Sequence, residues 1–150
     1  MRALIQRVTR AAVAIDGKTH GETGPGYVIL LGVGEGDAEK DADWLADKTA
    51  GLRVFSNSEG KFDHSILDVG GEALVISQFT LYGAADKGRR PDFSGAARPA
   101  EARRLYEYFT ERLGSKGVKV KTGIFAAHMQ VELVNDGPVT IWLDSRPDRL

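Results

Sequence analysis

A chain of 150 residues, 42% of them hydrophobic, is the size of one domain that can bury a core without staples. The absence of cysteine excludes disulfides, thiolate metal sites and a cysteine nucleophile. The formal net charge of −1 does not point to a nucleic-acid partner, yet the charge is unevenly spread. Between Lys87 and Lys121 ten basic residues stand against four acids, whereas the rest of the chain carries ten basic and seventeen acidic residues. Such a split suits either a solvated helix with its flanks or a surface for phosphates.

The stretch from Met1 to Arg7 runs straight into an alternating pattern, not into a charged head followed by an apolar signal stretch. No apolar run approaches the ~20 residues of a membrane helix, so a cytoplasmic protein with no membrane partner is expected. No repeat or linker divides the chain, and residues 1–150 are read as one domain. Residues 2–8 and 11–15 alternate as strands, with Asp16-Gly17 as the turn after the second. Tyr27 to Val33 is a continuous apolar run, the pattern of a strand buried on both faces. Asp37 is then the expected N-cap of a helix with Ala38, Ala42, Leu45, Thr49 and Leu52 on one face.

Arg53 to Phe55 reads as a short strand, Ser56 to Gly60 as a turn, and residues 64–69 and 72–81 as two further strands. Residues 83–98 form a long loop rich in Gly, Arg and Pro, of a length that often marks function. Pro99 opens a second helix with Ala102, Leu105, Tyr106, Phe109 and Leu113 as its apolar stripe, and Gly114 closes it. Strands at 118–121, 128–134 and 138–143 follow, with Asn135-Asp136-Gly137 read as a hairpin turn between the last two. The expected fold is a single α/β domain: a mixed, mostly antiparallel, strand-rich sheet or barrel covered by two helices.

Familiar catalytic patterns are missing. Ser77 lies outside any Gly-x-Ser-x-Gly elbow, and His20, His64 and His128 read as surface or strand-end histidines. No ligand spacing for zinc is present, so neither metal nor cofactor is expected. Gly32-Val33-Gly34-Glu35-Gly36 resembles a phosphate loop, but Glu35 and Asp37 would repel an anion and no Gly-Lys-Ser/Thr follows. Ser77-Gln78-Phe79-Thr80 offers hydroxyls, an amide and backbone N–H groups at a strand end, without a titrating base. Pro138 removes a donor where the next strand should begin, which is unusual after a turn.

Ser77-Gln78-Phe79-Thr80 and Asn135-Asp136-Gly137-Pro138-Val139-Thr140 together resemble the paired motifs of the D-aminoacyl-tRNA deacylases. The likeness extends to Ile5-Gln6-Arg7-Val8, Leu31-Gly32-Val33, Arg90-Pro91-x-Phe93-Ser94 and the run from Thr122-Gly123 to Leu133. The tail from Asp144 to Leu150 lies beyond the shared core and is assigned no function. The resemblance implies a homodimer with active sites at the subunit interface, a cis Gly137-Pro138 bond, and an acceptor-end aminoacyl-tRNA as partner. Ser77, Gln78, Phe79 and Thr80 would serve the ester. Gly137 and Pro138, with Asn135, would exclude an L side chain while admitting glycine. Arg7 would brace that turn, Phe125 and Met129 would line the nearby pocket, and Lys87, Arg89 and Arg90 would meet tRNA phosphates. Hydrolysis would use either Thr80 as a nucleophile or a ribose hydroxyl beside the ester; the motif holds donors and no base, which favours the ribose. Two other roles fit the same motifs: a non-catalytic tRNA-binding module, and an editing domain of the related fold acting on L-aminoacyl-tRNA.

Overall fold

The alternation that opens the sequence becomes one uninterrupted strand, β1 (Arg2–Ile15), in a computed structural model that describes residues 1–147. Asp16 and Gly17 both take left-handed backbone angles (φ 51° and 74°), the geometry of a two-residue hairpin turn into β2 (Lys18–Thr23). The apolar run forms β3 (Gly26–Gly32), which lies antiparallel to the first half of β1, from Arg2 opposite Gly32 to Val8 opposite Gly26.

From β3 the chain crosses through α1 (Glu39–Gly51) to β6 (Glu72–Ser77), and from β6 through α2 (Pro99–Ser115) to β7 (Lys119–Thr122). Both connections join parallel neighbours, β3 to β6 and β6 to β7, which is why each contains a helix. The last strand, β8 (Gln130–Asp144), runs antiparallel along the other side of β1. The six-stranded sheet is therefore mixed, with β1 pairing β2, β3 and β8 antiparallel. It also curls: a Cβ added at Gly21 of β2 would stand 3.3 Å from the Thr122 carbonyl at the end of β7. The result is a sheet nearly closed into a barrel, with two helices over one face.

Burial follows the pleat. Tyr27, Ile29 and Leu31 of β3 face the helices and pack with Leu45, Leu105, Phe109 and Leu113. Val28, Leu74 and Ile76 face the barrel interior with Val8, Ala11 and Val13. No helix among the described residues is long and apolar enough to cross a membrane.

Four local expectations differ from the structure. Ala38, not Asp37, caps α1, and its amide donates to Asp41 Oδ2 at 2.9 Å. Asp37 turns away to accept from the Gly34 amide at 2.6 Å and to pair with the Met1 ammonium at 2.8 Å. Residues 64–69 are not a strand: Ser65 and Asp68 bond each other's amides through their side chains and wind the segment into turns. The strand that precedes it is β5 (Phe62–His64), paired with β4 (Phe55–Ser56) in a small hairpin. The strand expected over 72–81 stops at Ser77 and passes into a 3-10 turn, Phe79–Tyr82, closed by the Leu81 and Gly83 amides on the Gln78 and Thr80 carbonyls.

The fourth difference is the largest. Asn135-Asp136-Gly137 does not reverse the chain, because the runs on either side both pair with β1 in one direction. The tail, too, is docked where it is described: Ser145 and Arg146 both bond Asp41, and residues 148–150 lie outside the described residues.

Burial alone would raise the Asp41 carboxyl, but hydrogen bonds from Arg146, the Ala38 amide and Ser145 outweigh it and hold the group well below the usual carboxylate range. A carboxyl depressed on folding stabilises the native state above its unfolded pKa and ceases to do so as pH falls. Asp41→Asn should therefore unfold at lower denaturant than the parent near neutrality. That gap should narrow below about pH 4, where unfolded aspartate protonates; denaturation curves at both pH values check it.

Candidate active site

The first motif sits where β6 ends. Ser77 pairs opposite Leu31, and the Gln78 amide then donates to the Leu31 carbonyl at 2.8 Å, the last bond before the 3-10 turn. Gln78 Nε2 donates to Thr80 Oγ1. Close packing beneath the turn needs the glycines that resemble a phosphate loop: a Cβ at Gly34 would lie 2.6 Å from the Tyr82 ring. They serve backbone docking.

Ser77, Gln78 and Phe79 line a cavity of about 410 Å³ with Phe125, Met129 and His128. Phe79 is mostly exposed and meets Phe93 edge to face, ring centres 5.0 Å apart. Phe125 lies 6.0 Å from the ring of Tyr106, whose hydroxyl donates to the Val75 carbonyl at 2.9 Å and is pushed up to about 12 by burial. Tyr106 thus stays a neutral support. Thr80 is exposed beside this cavity. Beyond it, Ala84 and Asp92 exchange two 2.8 Å backbone hydrogen bonds that pinch the long loop, leaving Lys87, Arg89 and Arg90 exposed at its tip.

The second motif lies elsewhere, as an excursion of β8 beside β1. Asn135 closes it: Oδ1 accepts from the Val139 amide at 2.8 Å, and Nδ2 donates to the Val139 carbonyl at 3.3 Å and Thr140 Oγ1 at 3.2 Å. Within it the Gly137-Pro138 peptide is cis. Gly137 has φ 144°, and a Cβ there would stand 2.7 Å from Val139 Cγ2 and 2.9 Å from Val139 N. Only glycine fits that position without displacing the turn. Buried Arg7 donates from Nε to the Asp136 carbonyl at 2.9 Å and from Nη1 to the Val54 carbonyl at 2.5 Å.

Among the described residues, the cavity gathers Ser77, Gln78, Phe79, Phe125 and Met129, but not Arg7, Asn135, Gly137 or Pro138. One chain thus holds two separate candidate half-sites. Phe93, named in the sequence only as part of the family likeness and given no role, props Phe79, and Val54, which no sequence signal marked, holds Arg7 through its carbonyl. His128, expected as a surface or strand-end histidine, is exposed and also lines the cavity.

The family described as D-Tyr-tRNA(Tyr) deacylase matches residues 4–144. The chain belongs to that family. A D-aminoacyl-tRNA deacylase of Symbiobacterium thermophilum is 57% identical over 145 residues, covering 97% of this chain and 96% of the relative. One of Koribacter versatilis is 53% identical over 148 residues and covers 99% of both chains. Among solved structures, a c-Myc DNA unwinding element binding protein superposes with TM-score 0.90 at 40% identity, over 96% of this chain and 98% of that one. A probable eukaryotic D-amino acid tRNA deacylase shares the fold at TM-score 0.78 and 16% identity, over 95% and 97% of the two chains. The match to the deacylase family spans both half-sites.

Asn135→Ala should cost about 1–3 kcal/mol, because it strips the buried Val139 of its amide's acceptor. Chemical denaturation against the parent measures this. An unchanged midpoint would mean that the turn holds without the side chain.

Proposed function

We propose that this protein hydrolyses the ester joining a D-amino acid, or misplaced glycine, to the terminal adenosine of tRNA. It acts in the cytoplasm as a homodimer with active sites at the subunit interface. The observation that carries this reading is the division of the two family motifs between separate places on one chain. In a pair, the Gly137-Pro138 turn of one subunit enters the partner subunit's cavity beside the ester-handling motif. β8 supports the pairing: among the described residues it forms a ladder with β1 alone, and Val131, Val134 and Trp142 are exposed along it, apolar side chains that a second copy would cover.

In this reading the main-chain carbonyls of Gly137 and Pro138 stand near the substrate's α-amino group. They leave space for hydrogen or a D side chain and none for an L side chain, so selection is by steric rejection. Asn135 keeps the turn closed and Arg7 keeps it aimed. Phe125 and Met129 form the apolar wall against which the substrate rests. Lys87, Arg89 and Arg90 meet acceptor-end phosphates, a contact that ignores sequence and weakens with salt.

Hydrolysis uses donors in place of a titrating base. The group that touches Thr80 Oγ1 is the Gln78 amide, which donates and cannot take a proton. A nucleophilic threonine has no activator there. Since the Gln78 N–H is spent on Leu31, the oxyanion falls to the Phe79 and Thr80 amides at the head of the 3-10 turn. The ribose hydroxyl beside the ester then helps to activate the attacking water.

Purified protein given D-tyrosyl-tRNA and L-tyrosyl-tRNA in parallel should deacylate the first and spare the second. Equal hydrolysis would favour an editing domain for L-amino acids, and no hydrolysis of either a binding module. Thr80→Ala should keep near-parental turnover, whereas tRNA lacking the neighbouring ribose hydroxyl should be turned over far more slowly. A loss on the order of 10³-fold in Thr80→Ala would restore the covalent route.

A further inference from the structure

We propose that Phe62 is a positioning residue for the handedness filter, holding the face of Arg7 so that the Gly137-Pro138 turn keeps its aim. The inference rests on the reading of that turn as the selector. Arg7 is fixed along two edges by the Asp136 and Val54 carbonyls, and its Cζ lies over the Phe62 ring, 5.6 Å from the ring centre. The Asp136 carboxylate stands 3.6 Å from Nε on the exposed side. The hydrogen bonds, ion pair and ring contact of this guanidinium thus join the turn to the segment leading through β4 and β5.

The small hairpin is tied back to the sheet beneath Arg7. Phe55 stacks 5.2 Å from Tyr27, and Tyr27 is the residue of β3 paired opposite Arg7 of β1. Phe62 pairs across the hairpin with Ser56, next to Phe55. Contacts therefore close a ring: Arg7, Tyr27, Phe55, the β4–β5 ladder, Phe62 and Arg7 again. The aromatic link of that ring with little role in burial is Phe62, a residue that is 56% exposed. An aromatic ring left in water adds little to the core, but over a guanidinium it gives an attraction that a leucine of similar bulk does not.

Loss of the ring frees the guanidinium to pivot about its two carbonyl partners, and the Asp136 carbonyl moves with it. Asp136 immediately precedes Gly137, so a small rotation there redirects the carbonyls that bar an L side chain. The effect appears as relaxed selection, and an aromatic replacement should repair it.

The test compares Phe62→Leu, Phe62→Ala and Phe62→Tyr with the parent and with Arg7→Lys, by single-turnover deacylation of D- and L-tyrosyl-tRNA. Phe62→Leu and Phe62→Ala should narrow the D over L preference by roughly 3- to 10-fold, the range of a cation–π contact. Phe62→Tyr should retain the parental preference. Melting curves accompany each variant; a side chain this exposed should leave them close to the parent, and Phe62→Leu is the milder change should Phe62→Ala melt early. The proposal is overturned when Arg7→Lys relaxes selection but Phe62→Leu does not. It is equally overturned when Phe62→Tyr loses as much selection as Phe62→Leu. A parent that itself fails to prefer the D substrate overturns the selector reading, and this inference with it.

Discussion

β1 is hydrogen-bonded on both sides, to β3 and then β2 along one edge and to β8 along the other, and this double pairing sets the register of nearly everything else. From Gln6 to Arg10, β1 advances four residues, while its partner advances six, from Thr140 to Val134. The net excess of two residues on β8 leaves residues 136–139 without ladder partners. They form an excursion between Asn135 and Thr140, which Asn135 staples and Arg7 holds from the β1 side. The proposed selector is thus a register mismatch given a defined shape, and bulges of this kind commonly re-aim a strand near a site.

The same economy marks the other half-site. Its polar side chains are Ser77 and Gln78 at the end of a buried parallel strand, with His128 and aromatic rings in the walls. Charge is kept at a distance, on the pinched loop that carries Lys87, Arg89 and Arg90. In the proposed reading, a cleft without lysine or arginine and with remote cations separates two tasks: attraction of a polyanion, and treatment of an ester whose leaving group is part of that polyanion.

Local pattern carried much of this architecture. The alternation of β1, the apolar run of β3 and the stripe of α2 behind Pro99 are each visible within a dozen residues, and each corresponds to an observed element. Elements of two and three residues, such as β4 and β5, are too short to show a period. The Asn-Asp-Gly signal failed for a different reason. Turn chemistry is local, but whether the chain reverses there was decided by β1, about 130 positions away, which offered both flanking runs the same edge. The two motifs were legible in the sequence while the distance between them within one chain was not, since that distance is a property of the folded sheet. Nor could spacing announce Val54 or Phe62, which act on Arg7 through a carbonyl and a ring face.

The pairing of Arg2 with Asp144 and of Gln6 with Thr140 joins β1 to β8, the first and last strands among the described residues. Contacts so distant along the chain form late and cannot be rehearsed by a partial product. Until β8 is released, β1 has one satisfied edge, Arg7 has no Asp136 carbonyl to hold, and the turn does not exist. The Arg7–Asp136 contact thus depends on two strands that lie far apart along the chain.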